Sequence, residues 1–431
     1  MRFRSFSPPA ALIGILSGAA AFIGPVSAQP TPAAEQTLGE NLFFDTTLSQ
    51  PGGQSCGSCH SASFAFTDPN KSVPTSAGVN PVLFGNRNTP TAMYSAHAPA
   101  FHFDTDARDH VGGQFLDGRA AALEDQAKAP FLNPVEMANA DRASVIQKLR
   151  LSPNSPAFLS VYGSNALDDV DRAYDLLAQA LAAYERTPAL SPFSSKYDAW
   201  LAGKTALTTA EAHGLELFEN PAKGNCMACH ASRPSADGTP PLFTDFTYDN
   251  IGVPKNPGSL FYTLPAAFNP DGTAFTDLGL GRTTGNPDDD GRFKVGTLRD
   301  IALTGPYTHN GYFDTLWQVV DFYNTRDVKP PCASPFLSVA DAERLGCWPA
   351  AEIPGTVNHD ELGNLGLTTD EVSDIVAFLG ALSDGFVVGQ VAAAEPAALE
   401  IFLMGCLSLG LLTWWRQPGD RRSDSTADNE T

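Results

Sequence analysis

Two stretches share one pattern: Cys56-Gly-Ser-Cys59-His60 and Cys226-Met-Ala-Cys229-His230. Cys-x-x-Cys-His is the attachment pattern of a c-type haem. The two thiols add to the porphyrin vinyl groups, and the adjacent imidazole becomes an axial ligand of the iron. A single copy is also compatible with chance, with a redox dithiol or with half a zinc site. Two copies behind an export signal point to haem. The sequence therefore predicts two covalently bound haem c groups, held by Cys56, Cys59 and His60 and by Cys226, Cys229 and His230.

The N-terminus agrees. Arg2 and Arg4 form a positive region, Ala10 to Ile23 a short apolar region, and Val26-Ser27-Ala28 a small-residue cleavage site. This reads as a signal peptide over residues 1–28. Haem attachment of this kind takes place outside the cytoplasm, so the expected location is the periplasm. The 431-residue chain carries a net charge of −21. That argues against nucleic acid and an anionic membrane surface as partners, and suits docking of a basic electron donor.

Of the seven cysteines, four belong to the motifs. Cys332 and Cys347 flank a loop rich in Pro, Ser and Ala, and the two alternatives, a disulfide or two free thiols, stay open. Cys406 lies in an apolar tail. After Gly385 the chain turns Ala- and Val-rich, then reads Ile401 to Trp415 without a charge, then Arg416, Arg421 and Arg422. That run reaches about 22 Å as a helix, short of the roughly 30 Å of a hydrocarbon core. Extension back to Ala397 nearly spans it. The order Glu395-Pro396, apolar helix, arginines resembles a PEP-CTERM sorting signal, without that signal's leading proline and with dispersed arginines. A plain membrane anchor and a helix packed on the domain are the alternatives.

Helical periodicity dominates between the ends. Val170, Tyr174, Leu177, Leu181 and Tyr184 share a face that stops before Pro188. Leu316, Val319, Val320 and Tyr323 form a second stripe. Thr368 with Glu371 makes a capping box ahead of Val372, Ile375, Val376, Leu379 and Leu382, with Gly385 as the expected stop. Thr208 and Glu211 make a similar start before the second motif. Strand-like alternation is scarce, and Pro-, Gly-, Asn- and Asp-rich loops fill the remainder. The expected fold is mainly α, with two cytochrome c-like haem domains with long loops, plus a C-terminal apolar helix. The domains are placed at 29–190 and 191–385, joined through a linker in 187–204, with a linker and anchor or sorting tail over 386–431.

Each motif supplies one axial ligand, so function depends on the other face of each iron. A carrier needs both faces filled; a peroxidase needs one open iron with an acid–base group near it. No methionine lies between Met227 and Met404. A His/Met second haem completed from within its own domain is therefore not expected. The non-motif histidines are His97, His102, His110, His213, His309 and His359.

Further segments carry a resemblance: Gly85-Asn-Arg-Asn-Thr-Pro-Thr91, Phe115-Leu-Asp-Gly-Arg119, Gln126-Ala-Lys-Ala-Pro130, Asn133-Pro-Val-Glu-Met137, and Thr297 to Gly311 with its Pro-Tyr-Thr-His-Asn-Gly ending. From about Leu38 to Asp384 the chain resembles the bacterial dihaem cytochrome c peroxidase and MauG family. The resemblance implies a peroxide-reacting first haem and an electron-relaying second one. It places Glu136 as the acid–base carboxylate over the first iron, with Gln126 and Pro130 shaping access. It implies a calcium ion held by the Asn88 side chain and the Thr304 and Pro306 carbonyls. It places Tyr323 where the family carries the distal ligand of the second haem, methionine in peroxidases and tyrosine in the MauG branch. Tyr323 also reads as a core aromatic on its stripe. The acidic run Asp288 to Asp290 reads as a solvated loop.

Three departures matter. The histidine that caps the resting first iron in peroxidases has no counterpart, its position falling near Ser76. Leu116 stands where the family has an inter-haem tryptophan. Gly224 stands where the MauG branch has the surface tryptophan used to oxidise a protein substrate. The leading expectation is an oxidoreductase of cytochrome-c peroxidase type, reducing hydrogen peroxide with electrons from a small cytochrome c or cupredoxin. The alternatives are a MauG-like peroxide-dependent oxidase of a protein or organic substrate, and a non-catalytic dihaem carrier. Family peroxidases often form homodimers; no interface is legible in the sequence.

Overall fold

The computed structural model describes residues 31–388. The signal peptide, the apolar tail helix and Cys406 lie outside the described residues. Among those described, no helix is long and apolar enough to cross a membrane.

The chain folds as helices joined by long loops, with two small two-stranded antiparallel sheets: His102–Asp104 with Asp109–Val111, and Tyr248–Asp249 with Phe293–Lys294. Among the described residues two large hydrophobic clusters form the core, with a small third one around Leu83, Phe261 and Leu264. One is built almost wholly from residues between Leu38 and Leu190, with Leu242 added. The other draws on Tyr197 to Leu382.

The two clusters are organised alike. In the first, the helix Pro32–Phe43 packs on Val170–Glu185. Asp169 caps the latter by accepting from the Arg172 amide, and its apolar stripe buries Tyr174, Leu177 and Leu181. In the second, Thr209–Glu219 packs on Thr369–Gly380, each opened by a capping box, Thr208 with Glu211 and Thr368 with Glu371. A glycine makes each crossing close enough: a Cβ on Gly39 would overlap the Ala180 carbonyl, and one on Gly214 the Asp374 carbonyl. Replacing an unconstrained helical glycine by alanine stabilises a helix by about 1 kcal/mol. Gly214→Ala is expected to do the opposite, losing about 1–3 kcal/mol through overpacking against backbone that cannot swing away. Chemical denaturation of the haem-loaded protein checks this sign.

The structure corrects three expectations and decides one that was open. The last helix ends at Gly380 with Ala381 as its cap, five residues before Gly385. Two reverse turns, Leu382 N–H to Leu379 O and Ser383 N–H to Gly380 O, take the chain off the helix axis. Residues 187–204 are not an open linker: Leu190 is buried, and Lys196–Leu201 is helical behind a Ser195–Asp198 capping box. Asp198 is fixed there by the fully buried Arg299, which donates to both its oxygens at 2.8 and 2.9 Å. Asp289 is buried rather than solvated, paired with Arg292 and accepting from the Thr284 hydroxyl. Cys332 and Cys347 are joined by a disulfide.

Loops of this length stay ordered because buried amides replace missing ladders. Asn139 donates to the Leu48 and Phe131 carbonyls, Asn256 to those of Asn310 and Gly311, and Asn324 to that of Leu367.

Candidate functional site

Each motif opens onto its own cavity. Cys56–Cys59 forms one helical turn capped by His60, and Cys226–Ala228 a tighter 3₁₀ turn. Both turns carry the cysteines and the histidine to the wall of a cavity. The empty volumes, which include space open to solvent, are about 1340 and 2120 Å³.

The two histidines are oriented by the same device. His60 Nδ1 lies 3.0 Å from the Phe66 carbonyl oxygen, and His230 Nδ1 lies 2.8 Å from that of Phe243. A carbonyl only accepts, so Nδ1 carries the proton and Nε2 keeps its lone pair for a metal. Burial holds both imidazoles below their ordinary pKa, hence neutral and ready to ligate. Phe66 and Phe243 both have φ 53°, a left-handed conformation rare for a bulky residue. Each begins a Phe-Thr-Asp triplet, 66–68 and 243–245. This repeat was present in the sequence but stands at different distances from the two motifs, so sequence reading missed it.

Burial pushes the thiols of Cys56, Cys59 and Cys226 up to about 12 and raises that of Cys229 as well. Such sites disfavour thiolates, as a metal-thiolate centre would need, and suit neutral thioethers. The Cys229 sulfur and carboxylate oxygens of Asp249 and Glu361 also lie within 4.8 Å of one another. That sulfur belongs to the second motif, so the group is read as part of the cavity wall.

Gln126, Pro130 and Glu136 all line the first cavity. Gln126 ends the turn Leu123–Gln126, Pro130 sits at the start of Ala129–Leu132, and Glu136 projects from the loop that follows. Asn133 Nδ2 donates to Glu136 Oε1 at 2.8 Å. Burial raises the Glu136 carboxyl above its ordinary pKa, against the opposing pull of Asn133 and of the Arg119 charge. Ser76 reaches the same cavity, where its hydroxyl bonds to the Asp68 carboxylate and the Thr89 hydroxyl.

Tyr323, on the helix Leu316–Thr325, lines the second cavity with His230. Its hydroxyl makes no protein hydrogen bond among the described residues. Met93 lines this cavity as well. Counting methionines near the second motif overlooked it, because it comes from the other half of the chain. Of the six non-motif histidines, His309 alone lines either cavity. It stacks on Phe293 at 3.7 Å and sits 3.8 Å from Glu352.

Residues 88–91 and 114–116 line both cavities and form a common wall, with Leu116 in it. Arg87 anchors this wall across the chain, donating from Nε and Nη2 to Asp277 at 2.6 and 2.7 Å and pairing through Nη1 with Asp117 at 2.8 Å. Asn88 binds the other side, its backbone N–H donating to His309 O and its side chain to Pro306 O. Thr304 lines the same second cavity. Turning the Asn88 amide by 180° would aim its oxygen toward the Pro306 carbonyl. At Gly224 an added Cβ would overlap the Leu217 carbonyl, so this backbone leaves no room for a tryptophan.

Residues 33–206 match the family model described as di-haem cytochrome c peroxidase. The methylamine utilization protein MauG of Paracoccus denitrificans is 40% identical over 365 residues, covering 83% of this chain and 90% of that protein. The cytochrome c551 peroxidase of Nitrosomonas europaea is 35% identical over 69% of this chain and 75% of its own. Among solved structures, the diheme peroxidase BthA of Burkholderia thailandensis superposes with a TM-score of 0.70 at 34% identity, covering 85% of this chain and 89% of that one.

Proposed function

The chain belongs to the di-haem cytochrome c peroxidase and MauG family, and from that membership we propose that it reduces hydrogen peroxide at a haem held by Cys56, Cys59 and His60. Electrons enter through a second haem held by Cys226, Cys229 and His230. One observation carries this reading: Glu136 stands in the first cavity as a carboxyl of raised pKa, with one oxygen oriented by Asn133.

When bound at His60, haem supplies the electrons that break the peroxide O–O bond. The remaining work falls to the protein. His60, with Nδ1–H tied to Phe66, keeps Nε2 fixed for the iron. Glu136 holds Oε1 against Asn133, leaving Oε2 to take a proton from one peroxide oxygen and return it to the other, which departs as water. Gln126 and Pro130 narrow access. Ser76 offers no imidazole, so nothing in that position caps the first iron at rest. Asn88, Thr304 and Pro306 offer the hard oxygens that calcium prefers, after the amide turn described above. The location that fits is the periplasm, with a small cytochrome c or cupredoxin as donor.

A second reading, a MauG-like oxidase of a protein or organic substrate, draws on Tyr323 in the second cavity and on Ser76 in the first. Gly224 argues against a tryptophan-mediated version of it. Low-temperature EPR of the fully ferric protein tests the enzymatic readings. One high-spin and one low-spin signal are expected; two low-spin signals would instead indicate a carrier with both irons capped.

A further inference from the structure

The wall between the two cavities has Leu116 within it, a side chain with no oxidisable group. Among the described residues three tyrosines line the cavities, Tyr94, Tyr307 and Tyr323, all on the second. Tyr307 and Tyr323 hydroxyls find no protein hydrogen-bond partner there. Tyr94 differs. It is 1% exposed, and its hydroxyl donates to Asp384 Oδ2 at 2.6 Å while accepting from the Phe193 amide at 3.0 Å.

Asp384 is half-buried and belongs to a hydrogen-bonded array. Its Oδ1 accepts from the Ser194 N–H and hydroxyl at 2.6 and 3.1 Å. Its own N–H donates to Asp300 Oδ1 at 2.9 Å. Asp300 is buried, and its Oδ2 has no hydrogen-bond partner among the described residues. Burial, with the neighbouring Asp384, pushes the Asp300 carboxyl up to about 7. The Arg299 guanidinium lies 5.2 Å from the Tyr94 ring centroid, held in place by Asp198.

This arrangement selects one chemistry. A phenol that lost only an electron would become a cation, and a buried guanidinium at that distance repels it strongly. Oxidation is feasible only if the proton leaves with the electron, and a carboxylate already stands at hydrogen-bond distance to take it. None of the oxygens in the array serves the haem attachment or the peroxide chemistry described above.

We propose that Tyr94 is a redox-active residue that holds one oxidising equivalent beside the second haem, with Asp384 as its proton acceptor. The proposal rests on the peroxide reaction proposed above, which supplies the oxidant. In the step, the Tyr94 O–H bond breaks. Its electron reduces the oxidised haem pair by one equivalent, its proton forms a new O–H bond on Asp384 Oδ2, and a neutral phenoxyl radical remains. An electron from the donor protein, with the proton returned from Asp384, restores the phenol.

The test is rapid-freeze EPR of the full-length, haem-loaded ferric protein mixed with hydrogen peroxide, with optical spectra of the haems recorded in parallel. A radical signal that narrows when the protein contains ring-deuterated tyrosine is expected. Tyr94→Phe should lose that signal while the haems still respond to peroxide. Asp384→Asn, which retains Tyr94, should lose it as well, an effect that a merely structural role would not produce. Tyr162, whose hydroxyl donates to Glu35 at 2.7 Å but which lines neither cavity, is the control, and Tyr162→Phe should keep the signal. A tyrosyl signal that survives Tyr94→Phe overturns the proposal, as does haem oxidation with no tyrosyl signal in the unaltered protein. A signal undiminished in Asp384→Asn overturns the acceptor role. Haems that do not respond to peroxide at all overturn the peroxidase reading and this proposal together.

Discussion

Replacing Glu136 by Gln is expected to slow peroxide reduction by about 10²–10⁴-fold, with both haems still attached. Gln preserves the side chain's length and can still accept the Asn133 hydrogen bond, but it cannot take and return a proton. The pH dependence follows from the direction of the Glu136 shift. An unperturbed glutamate titrates near about 4.3, and burial raises Glu136 above that. The base acts when ionised, so the second-order rate with peroxide should rise with pH through this raised value. The limb should vanish in Glu136→Gln. Stability moves the other way. A carboxyl whose folded pKa is raised favours the folded state most below its unfolded pKa, and that contribution is lost as pH rises through the folded value. Above that value the ionised Glu136 is a cost that Gln removes, so there the variant should unfold no more easily than the parent. Stopped-flow haem spectra against pH, with denaturation as control, separate lost chemistry from lost fold. Undiminished turnover in Glu136→Gln would remove this residue from the mechanism.

The second large effect is expected at Tyr323. Burial, with the Cys229 and Asp249 groups nearby, pushes its phenol well up. Without a cation the side chain therefore stays protonated, and an anionic phenolate there requires ferric iron beside it. A phenolate ligand favours ferric iron and gives the second haem a low potential; a thioether favours ferrous iron. Tyr323→Met is therefore expected to raise that potential by on the order of a few hundred mV. The low-spin EPR signal should change while that of the first haem does not. Met93 is the internal competitor, since it lines the same cavity. Met93→Leu should leave the low-spin signal alone. If Met93→Leu alters it and the Tyr323 substitution does not, the ligand is Met93.

Local signals in the sequence translated into local structure. Thr208, Thr368 and Asp169 cap helices because a side-chain oxygen three residues ahead of a free N–H needs no distant partner. The stripe from Val170 to Tyr184 buried itself for a comparable reason, since its period alone fixes its face. The Cys-x-x-Cys-His motifs bring their own geometry within five residues. Glu136, Gln126, Pro130 and Tyr323, which line the cavities, were singled out by matched family segments, and none of them would have stood out by type or spacing alone.

Other features depended on partners far along the chain. Residues 187–204 look like a linker until Arg299, about a hundred positions on, fixes Asp198. Asp289 reads as solvated until Arg292 and Thr284 fold back onto it. Gly39 and Gly214 show their purpose only where another helix's carbonyl meets them. By itself the sequence determined two haem-attachment motifs, a mainly helical chain and the helix starts, because each is written in neighbouring residues. Only the tertiary structure decided that Met93 reaches the second cavity, that Phe66 and Phe243 orient the two histidines, and that Tyr94 meets Asp384. These are contacts between segments whose spacing along the chain carries no trace of their distance in space.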